Sequence, residues 1–154
     1  MAREAPSLRS RALGLLARRE HTRGELQRKL AAHVEEPQEL IDLLDDLTRR
    51  GWLSDARFAE ALVQGKQAKL GATRLAYELR ERGVADGLIR EQLAQLKESE
   101  LERARQVWQA KFGTPPEDAK ARAKQMRFLQ SRGFSLEVIG KILPSVEPPA
   151  GESM

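Results

Sequence analysis

Leu79-Arg80-Glu81-Arg82-Gly83-Val84, in the middle of the chain, is echoed about 50 residues later by Leu129-Gln130-Ser131-Arg132-Gly133-Phe134. Outward from these stretches, Leu30, Leu79 and Leu129 mark one recurring position, and Leu40, Ile89 and Ile139 each fall ten residues later. Leu44, Leu93 and Leu143 stand four further on, and Leu13, Leu62 and Phe112 form another set on the N-terminal side. Self-similarity at a fixed period of this length points to a helical repeat array, whose units cannot bury their apolar faces alone and must stack.

The local pattern agrees. Nearly every segment shows the i, i+3, i+4 spacing of an amphipathic helix, and none shows sustained strand alternation. Nine helices and no sheet are predicted. The first runs from about Ser7 to Arg19 on Leu8, Ala12, Leu15 and Leu16, and the second from about Arg23 to His33 on Leu26 and Leu30. Thr22-Arg23-Gly24-Glu25 has the form of a capping box. Pro37 suits the first turn of helix three, on Leu40, Ile41, Leu44 and Leu47, and Gly51 stops it. Ser54-Asp55 opens helix four on Phe58, Ala59, Leu62 and Val63. Gly71 breaks the chain before helix five, Gly83 closes that helix, and Asp86 opens helix six. Helix seven starts near Glu98 and meets Gly113-Thr114-Pro115-Pro116; helix eight ends at Gly133, and helix nine follows Ser135.

Helices shorter than roughly 12 to 15 residues are marginal alone in water, so stacking must supply the stability. The fold class is therefore all-α: an elongated, curved array of three tandem three-helix repeats over 7–53, 54–97 and 98–143. An N-terminal extension over 1–6 precedes it, and a frayed tail over 144–154 follows. An open array needs no symmetric partner, so a monomer is expected.

The 154 residues are 40% apolar but only 5% aromatic, which leaves the packing to Leu and Ala. With no cysteine, disulfides, thiolate metal sites and a cysteine nucleophile are excluded. Arg3, Arg9, Arg11, Arg18 and Arg19 interrupt the first thirty residues, so no signal peptide and no membrane span is read, and the expected compartment is the cytoplasm.

The net charge of +4 hides an uneven distribution. Residues 1–34 carry eight Lys/Arg against three Asp/Glu, and 35–60 three against eight. Residues 61–97 carry seven against four, 98–119 three against five, and 120–141 six against one. The basic blocks fall on the middle helix of each repeat: Arg23, Arg28 and Lys29; Arg74, Arg80 and Arg82; Lys120, Arg122, Lys124, Arg127 and Arg132. Stacked with a common rotation, these helices line one basic face. The plainer account is a solvated face with i, i+4 pairs such as Glu25 to Lys29 and Glu78 to Arg82. The excess on helix eight exceeds what such pairing can neutralise, which points to a polyanion or an acidic protein groove.

Trp52 and Trp108 sit at apolar positions and are assigned to the core rather than to base stacking. Tyr77 lies off the Leu75 and Leu79 face and is a candidate exposed contact. His21 and His33 read as helix-end residues, not metal ligands, and Gly83 and Gly133 as caps. No catalytic residue, no metal site and no cofactor is expected: the chain has no Gly-rich phosphate loop, no paired His and carboxylate at helical spacing and no nucleophile setting.

Four stretches resemble the RecX family, bacterial regulators that bind the RecA recombinase. They are Leu15-Leu16-Ala17-Arg18-Arg19-Glu20-His21-Thr22 with Glu25-Leu26 and Lys29-Leu30; Gly51-Trp52-Leu53-Ser54-Asp55 with Arg57-Phe58-Ala59; Gly71 with Arg74-Leu75, Glu78-Leu79 and Arg82-Gly83-Val84; and Phe128-Leu129 with Arg132-Gly133-Phe134-Ser135 and Val138-Ile139. The resemblance covers about Ala12 to Leu143. Ser54-Asp55 stands where the family commonly has an acidic pair, and Val34-Glu35 lacks the Arg-Gly turn of the later repeats. The resemblance implies an all-helical modular protein that lies along the groove of the RecA filament on single-stranded DNA and inhibits its ATPase and strand exchange. With that come DNA repair, recombination and the SOS response, and no catalytic residues.

The competing class is a direct nucleic-acid-binding module without a RecA partner, since three-helix units can imitate a helix-turn-helix. That reading wants one recognition helix with base-reading Arg, Asn or Gln. This chain has no asparagine, and its basic residues are spread over three units. Candidate RecA or DNA contacts are therefore the twelve residues Arg23, Arg28, Lys29, Arg74, Tyr77, Arg80, Arg82, Lys120, Arg122, Lys124, Arg127 and Arg132, with weak direct DNA binding at most.

Overall fold

A computed structural model describes residues 5–146. Among the described residues nine α-helices follow one another and no strand occurs: α1 (Leu8–Arg18), α2 (Arg23–Leu30), α3 (Pro37–Arg49), α4 (Asp55–Lys66), α5 (Ala72–Glu81), α6 (Asp86–Ala94), α7 (Glu100–Lys111), α8 (Ala119–Ser131) and α9 (Leu136–Ile142). The all-helical prediction is what the chain adopts. Of the expected terminal segments, residues 1–4 and 147–154 lie outside the described residues, and 144–146 carry no helix.

Local signals set most helix ends. Ser7 accepts the Ser10 N–H at the head of α1, and Thr22 and Glu25 close the reciprocal box at α2. Pro37 occupies the first turn of α3, and the Ser54 hydroxyl accepts the Arg57 N–H. Asp118, not singled out from sequence, accepts the Ala121 N–H at the head of α8. Two ends differ from expectation. The helix predicted to reach His33 is α-helical only to Leu30 and tightens into a 3-10 turn over Ala31–His33, and the helix predicted from Glu98 begins at Glu100 after a 3-10 turn over Lys97–Ser99.

The echoed stretches are one backbone motif. Gly83 and Gly133 have φ of 87° and 92°. Past them Val84 N–H bonds to Leu79 C=O and Phe134 N–H to Leu129 C=O, while Gly83 and Gly133 bond to Arg80 and Gln130. This is a Schellman closure, in which the residue after the glycine packs back on the helix. Leu79, Val84, Leu129 and Phe134 are accordingly all buried.

The described chain forms two compact units. One holds the residues up to Leu62 with Leu79–Arg90; the other holds Val63–Glu78 with the residues from Glu91 on. In the first, Ala12, Leu26, Leu30, Leu40, Leu43, Leu44, Leu47 and Leu53 form a core. In the second, Ala104, Leu129, Phe134, Ile139 and Leu143 do so, flanked by Val107, Trp108 and Met126.

Three of the recurring sets mostly hold core positions: Leu30, Leu79 and Leu129; Leu40, Ile89 and Ile139; and Leu44 and Leu143, with Leu93 half-buried. The set of Leu13, Leu62 and Phe112 is a false register. Leu13 is 37% exposed, whereas its neighbour Ala12 is sealed, as are Ala59 and Ala104. These alanines stand progressively farther before Leu30, Leu79 and Leu129, because the link between first and middle helices lengthens from repeat to repeat.

Candidate functional site

Two joints between a middle helix and the next Arg-Gly turn decide which basic residues are free to bind. In the first unit the N-terminus of α2 meets the Arg82-Gly83 turn. The Thr22 hydroxyl accepts the Glu25 N–H at 3.0 Å and donates to the Arg82 carbonyl. The Arg23 N–H reaches Asp55 Oδ1 at 2.8 Å, so two of the otherwise orphaned amides of α2 are satisfied. Gly24 lets the backbones approach, since a Cβ there would lie 3.2 Å from the Arg82 carbonyl oxygen.

Glu25 is the hub of that joint. Only 5% exposed, it receives Arg19 in a two-point contact at 2.8 and 3.3 Å and Arg82 at 3.1 Å. Burial pushes its carboxyl up. The Arg19 hydrogen bonds, the Thr22 N–H and the charges of Arg19 and Arg82 outweigh that and hold it at about 2. The expected Glu25 to Lys29 and Glu78 to Arg82 helix pairs do not form. The capping box draws Glu25 back toward the N-terminus of α2, where it takes Arg82, and Glu78 pairs instead with Lys66 and Arg74.

The second unit repeats the joint with different side chains. The Gly71 N–H bonds to the Arg132 carbonyl at 2.7 Å, the Thr73 N–H to the Gly133 carbonyl at 3.2 Å, and the Ala72 N–H to Glu100 Oε1 at 3.0 Å. Glu100 thus does for α5 what Asp55 does for α2. Beside it Arg103, which sequence reasoning passed over, is buried and donates to the carbonyls of Gln67 and Leu70 at 2.8 Å each. Burial lowers its guanidinium pKa, against the raising charge of Glu100. Among the described residues Val34-Glu35, which lacks the Arg-Gly sequence, receives no such joint.

The candidate contact residues therefore divide. In the first unit Arg23 pairs with Asp45 at 2.7 Å, Arg80 with Asp86 at 3.2 Å and Arg82 with Glu25; Arg28 donates to the Glu81 carbonyl, and Lys29 contacts the His21 ring at 3.1 Å. In the second unit Arg74 lies 3.6 Å from Glu78 and over the Tyr77 ring, which is 51% exposed as expected. On α8, Arg122 donates to the Pro144 carbonyl, and no carboxylate among the described residues pairs with Lys120, Lys124 or Arg127. Arg132 stacks on Phe128 at 4.9 Å, with Lys111 5.4 Å from the same ring, at a shallow cleft that also includes Lys69 and Gln106. No carboxylate lines that cleft.

The two tryptophans part company. Trp108 is half-buried and donates to the buried Gln125 at 2.8 Å, as a core assignment requires. Trp52 corrects the expectation. It is 43% exposed with the Arg50 guanidinium 5.2 Å over its ring, while Leu53 beside it takes the core position. His21 is 1% exposed and held by the Arg19 carbonyl; His33 is exposed in its 3-10 turn. Among the described residues no group of three His, Asp or Glu is placed to hold a metal, and no helix is long and apolar enough to cross a membrane.

Family models described as the first, second and third three-helix domains of RecX match residues 9–39, 54–93 and 98–143. Proteins named regulatory protein RecX are similar along nearly the whole chain. The one from Ralstonia nicotianae is 46% identical over 96% of this chain and 92% of its own length; that from Chromobacterium violaceum is 46% identical over 93% of each. The crystal structure of RecX from Lactobacillus salivarius superposes with a TM-score of 0.76 at 18% identity, covering 88% of this chain and 91% of that one.

Proposed function

This chain belongs to the RecX family, and from that premise we propose that it regulates the RecA recombinase. It lies along the groove of the RecA filament on single-stranded DNA and inhibits ATP hydrolysis and strand exchange. It acts in the cytoplasm as a monomer, by binding rather than catalysis, and binds DNA alone only weakly.

The observation that carries this reading is the unpaired charge of α8. Arg23, Arg80 and Arg82 are paired with carboxylates of the chain itself, whereas Lys120, Lys124 and Arg127 have no such partner among the described residues. Charges left unpaired on a helix face are available to acidic protein surface or to phosphate. A filament that changes pitch during ATP turnover is sensitive to a ligand that touches two protomers at once. Segments 7–53, 54–97 and 98–143 serve as linked contact modules whose joint affinity rises through effective concentration.

The test is the single-stranded-DNA-dependent ATPase of the cognate RecA as the full chain is titrated in, beside a salt series of DNA binding without RecA. Inhibition below stoichiometry, shifted to higher concentration by K120Q/K124Q/R127Q, is the expected outcome. Unchanged ATPase with tight, salt-steep DNA binding is the outcome of the rival nucleic-acid module. Removing residues from 98 onward is the poorer experiment, because Gly71, Ala72 and Thr73 would lose the partners of their backbone N–H groups.

A further inference from the structure

Helix α1 has a second face. Ala12, with Leu8, Leu15 and Leu16 in part, turns to the core, while Arg11, Gly14 and Arg18 recur at helical spacing on the solvent side. Arg11 and Arg18 are two turns apart, roughly 10 Å along the axis. Facing them, α2 and its 3-10 extension present Lys29 and His33, and an open groove of about 380 Å³ runs between. No carboxylate lines this groove, and none pairs with Arg11 or Arg18 among the described residues.

Lys29 is aimed by a neutral group. The Arg19 carbonyl can only accept, so the His21 Nδ1 at 3.0 Å carries the proton, and Nε2 is left as an acceptor for the Lys29 ammonium at 3.1 Å. Burial pushes the His21 pKa below its ordinary value, against the hydrogen bond to Arg19, which keeps the ring neutral. A carboxylate in that place would cancel the charge of Lys29. The imidazole fixes its position and leaves the charge for a ligand.

Gly14 adds an independent sign. Glycine inside a helix is unfavourable, and packing does not require it here, since an added Cβ would meet nothing within 4 Å. What it provides is a gap between two arginines. Cations spaced along a line, with no Phe, Tyr or Trp in the lining to stack on a base, match a ligand whose anionic groups repeat along a flexible chain.

We propose that the α1–α2 groove binds the phosphodiester backbone of single-stranded nucleic acid, with Arg11 and Arg18 on separate phosphates and Lys29 opposite them. This deepens the regulatory reading, on which it rests for the nature of the ligand, and is tested without RecA so that the two can fail separately. The probe is a fluorescein-labelled 20-mer of oligo(dT), followed by anisotropy with the full chain across a potassium chloride series. R11Q/R18Q should weaken binding by about tenfold or more and flatten the log affinity against log salt slope by roughly 1.4, at about 0.7 per phosphate. G14L, which changes no charge, should cost several-fold by filling the gap, with the thermal midpoint of both variants confirming the fold.

Wild-type affinity and slope in R11Q/R18Q would overturn the site, as would an unaltered chain that binds no oligonucleotide at the lowest salt. Full affinity in G14L would reduce the groove to a diffuse field and overturn it too. A labelled deca-glutamate peptide whose binding needs Arg11 and Arg18 when oligonucleotide binding does not would make this an acidic-protein site instead. Oligonucleotide binding lost in R11Q/R18Q, with wild-type chain that leaves RecA ATPase untouched, would support the groove while removing the regulator.

Discussion

Gly71 and Gly133 meet backbone to backbone: a Cβ on Gly71 would lie 2.5 Å from the Gly133 carbonyl oxygen, and one on Gly133 would lie 2.3 Å from the Cβ of Arg74. No rotamer relieves either approach, because the obstructing atoms are backbone or Cβ. The corresponding approach in the first unit is looser, with 3.6 Å between a Cβ on Gly83 and the Cα of Gly24.

Alanine substitutions should follow that difference. G133A meets both a positive φ and a clash, and G71A meets a clash, so each should lose about 2–4 kcal/mol in chemical denaturation. G83A carries only the cost of its backbone conformation, about 1–2 kcal/mol. Equal losses for G83A and G133A would refute the close-packed joint.

Glu25 should make the first unit acid-labile. Its carboxyl is held at about 2, against 4.5 ordinarily, so its contribution is present above pH 4.5 and is lost as pH falls toward 2. The size is roughly 2–4 kcal/mol, at about 1.4 kcal/mol for each tenfold change in proton affinity. E25Q should be less stable than the parent at pH 7, and the gap should narrow at pH 2 to 3. A constant gap across that range would mean that the carboxylate charge is not what holds Arg19 and Arg82.

The His21 ring should stay neutral through the physiological range. Its folded-state pKa is lowered by burial, so the stability it confers is present above about 6.5 and lost as pH falls through the folded value. In an NMR titration its ring proton should move only below pH 6.5. A midpoint above 6.5 would show a charged ring, one unable to accept from Lys29.

Core truncations should separate true from false register. L79A and L129A remove sealed side chains and should cost about 2–5 kcal/mol each. L13A removes one that is 37% exposed and should cost about 1 kcal/mol or less. A loss at Leu13 matching that at Leu79 would reinstate the set of Leu13, Leu62 and Phe112.

Much of this was written in short-range patterns. The capping box at Thr22 and Glu25, the proline at the head of α3 and the apolar spacing of the helices act within a few residues, so helix order was legible directly. The Arg-Gly echo announced its Schellman closure because that turn needs glycine at positive φ and an apolar residue after it. The exposure of Tyr77 followed from its place off the Leu75 and Leu79 face. The candidate contacts were less legible. A count of basic residues treats Arg82 and Arg127 alike, yet one is committed to Glu25 and the other has no carboxylate partner among the described residues.

By itself, then, the sequence determined an all-helical chain of three repeating units, where most helices begin and end, and most of the recurring leucines that are sealed, because periodicity and capping are local properties of the backbone. Tertiary structure alone decided that the Arg-Gly turns receive the preceding middle helix at close quarters, that Trp52 faces out and that Lys29, in contact with His21, lines a groove with Arg11 and Arg18. Those outcomes depend on which groups far apart in the chain arrive within 3 or 4 Å of one another, and a charge or an aromatic ring carries no mark in sequence of the partner that will reach it.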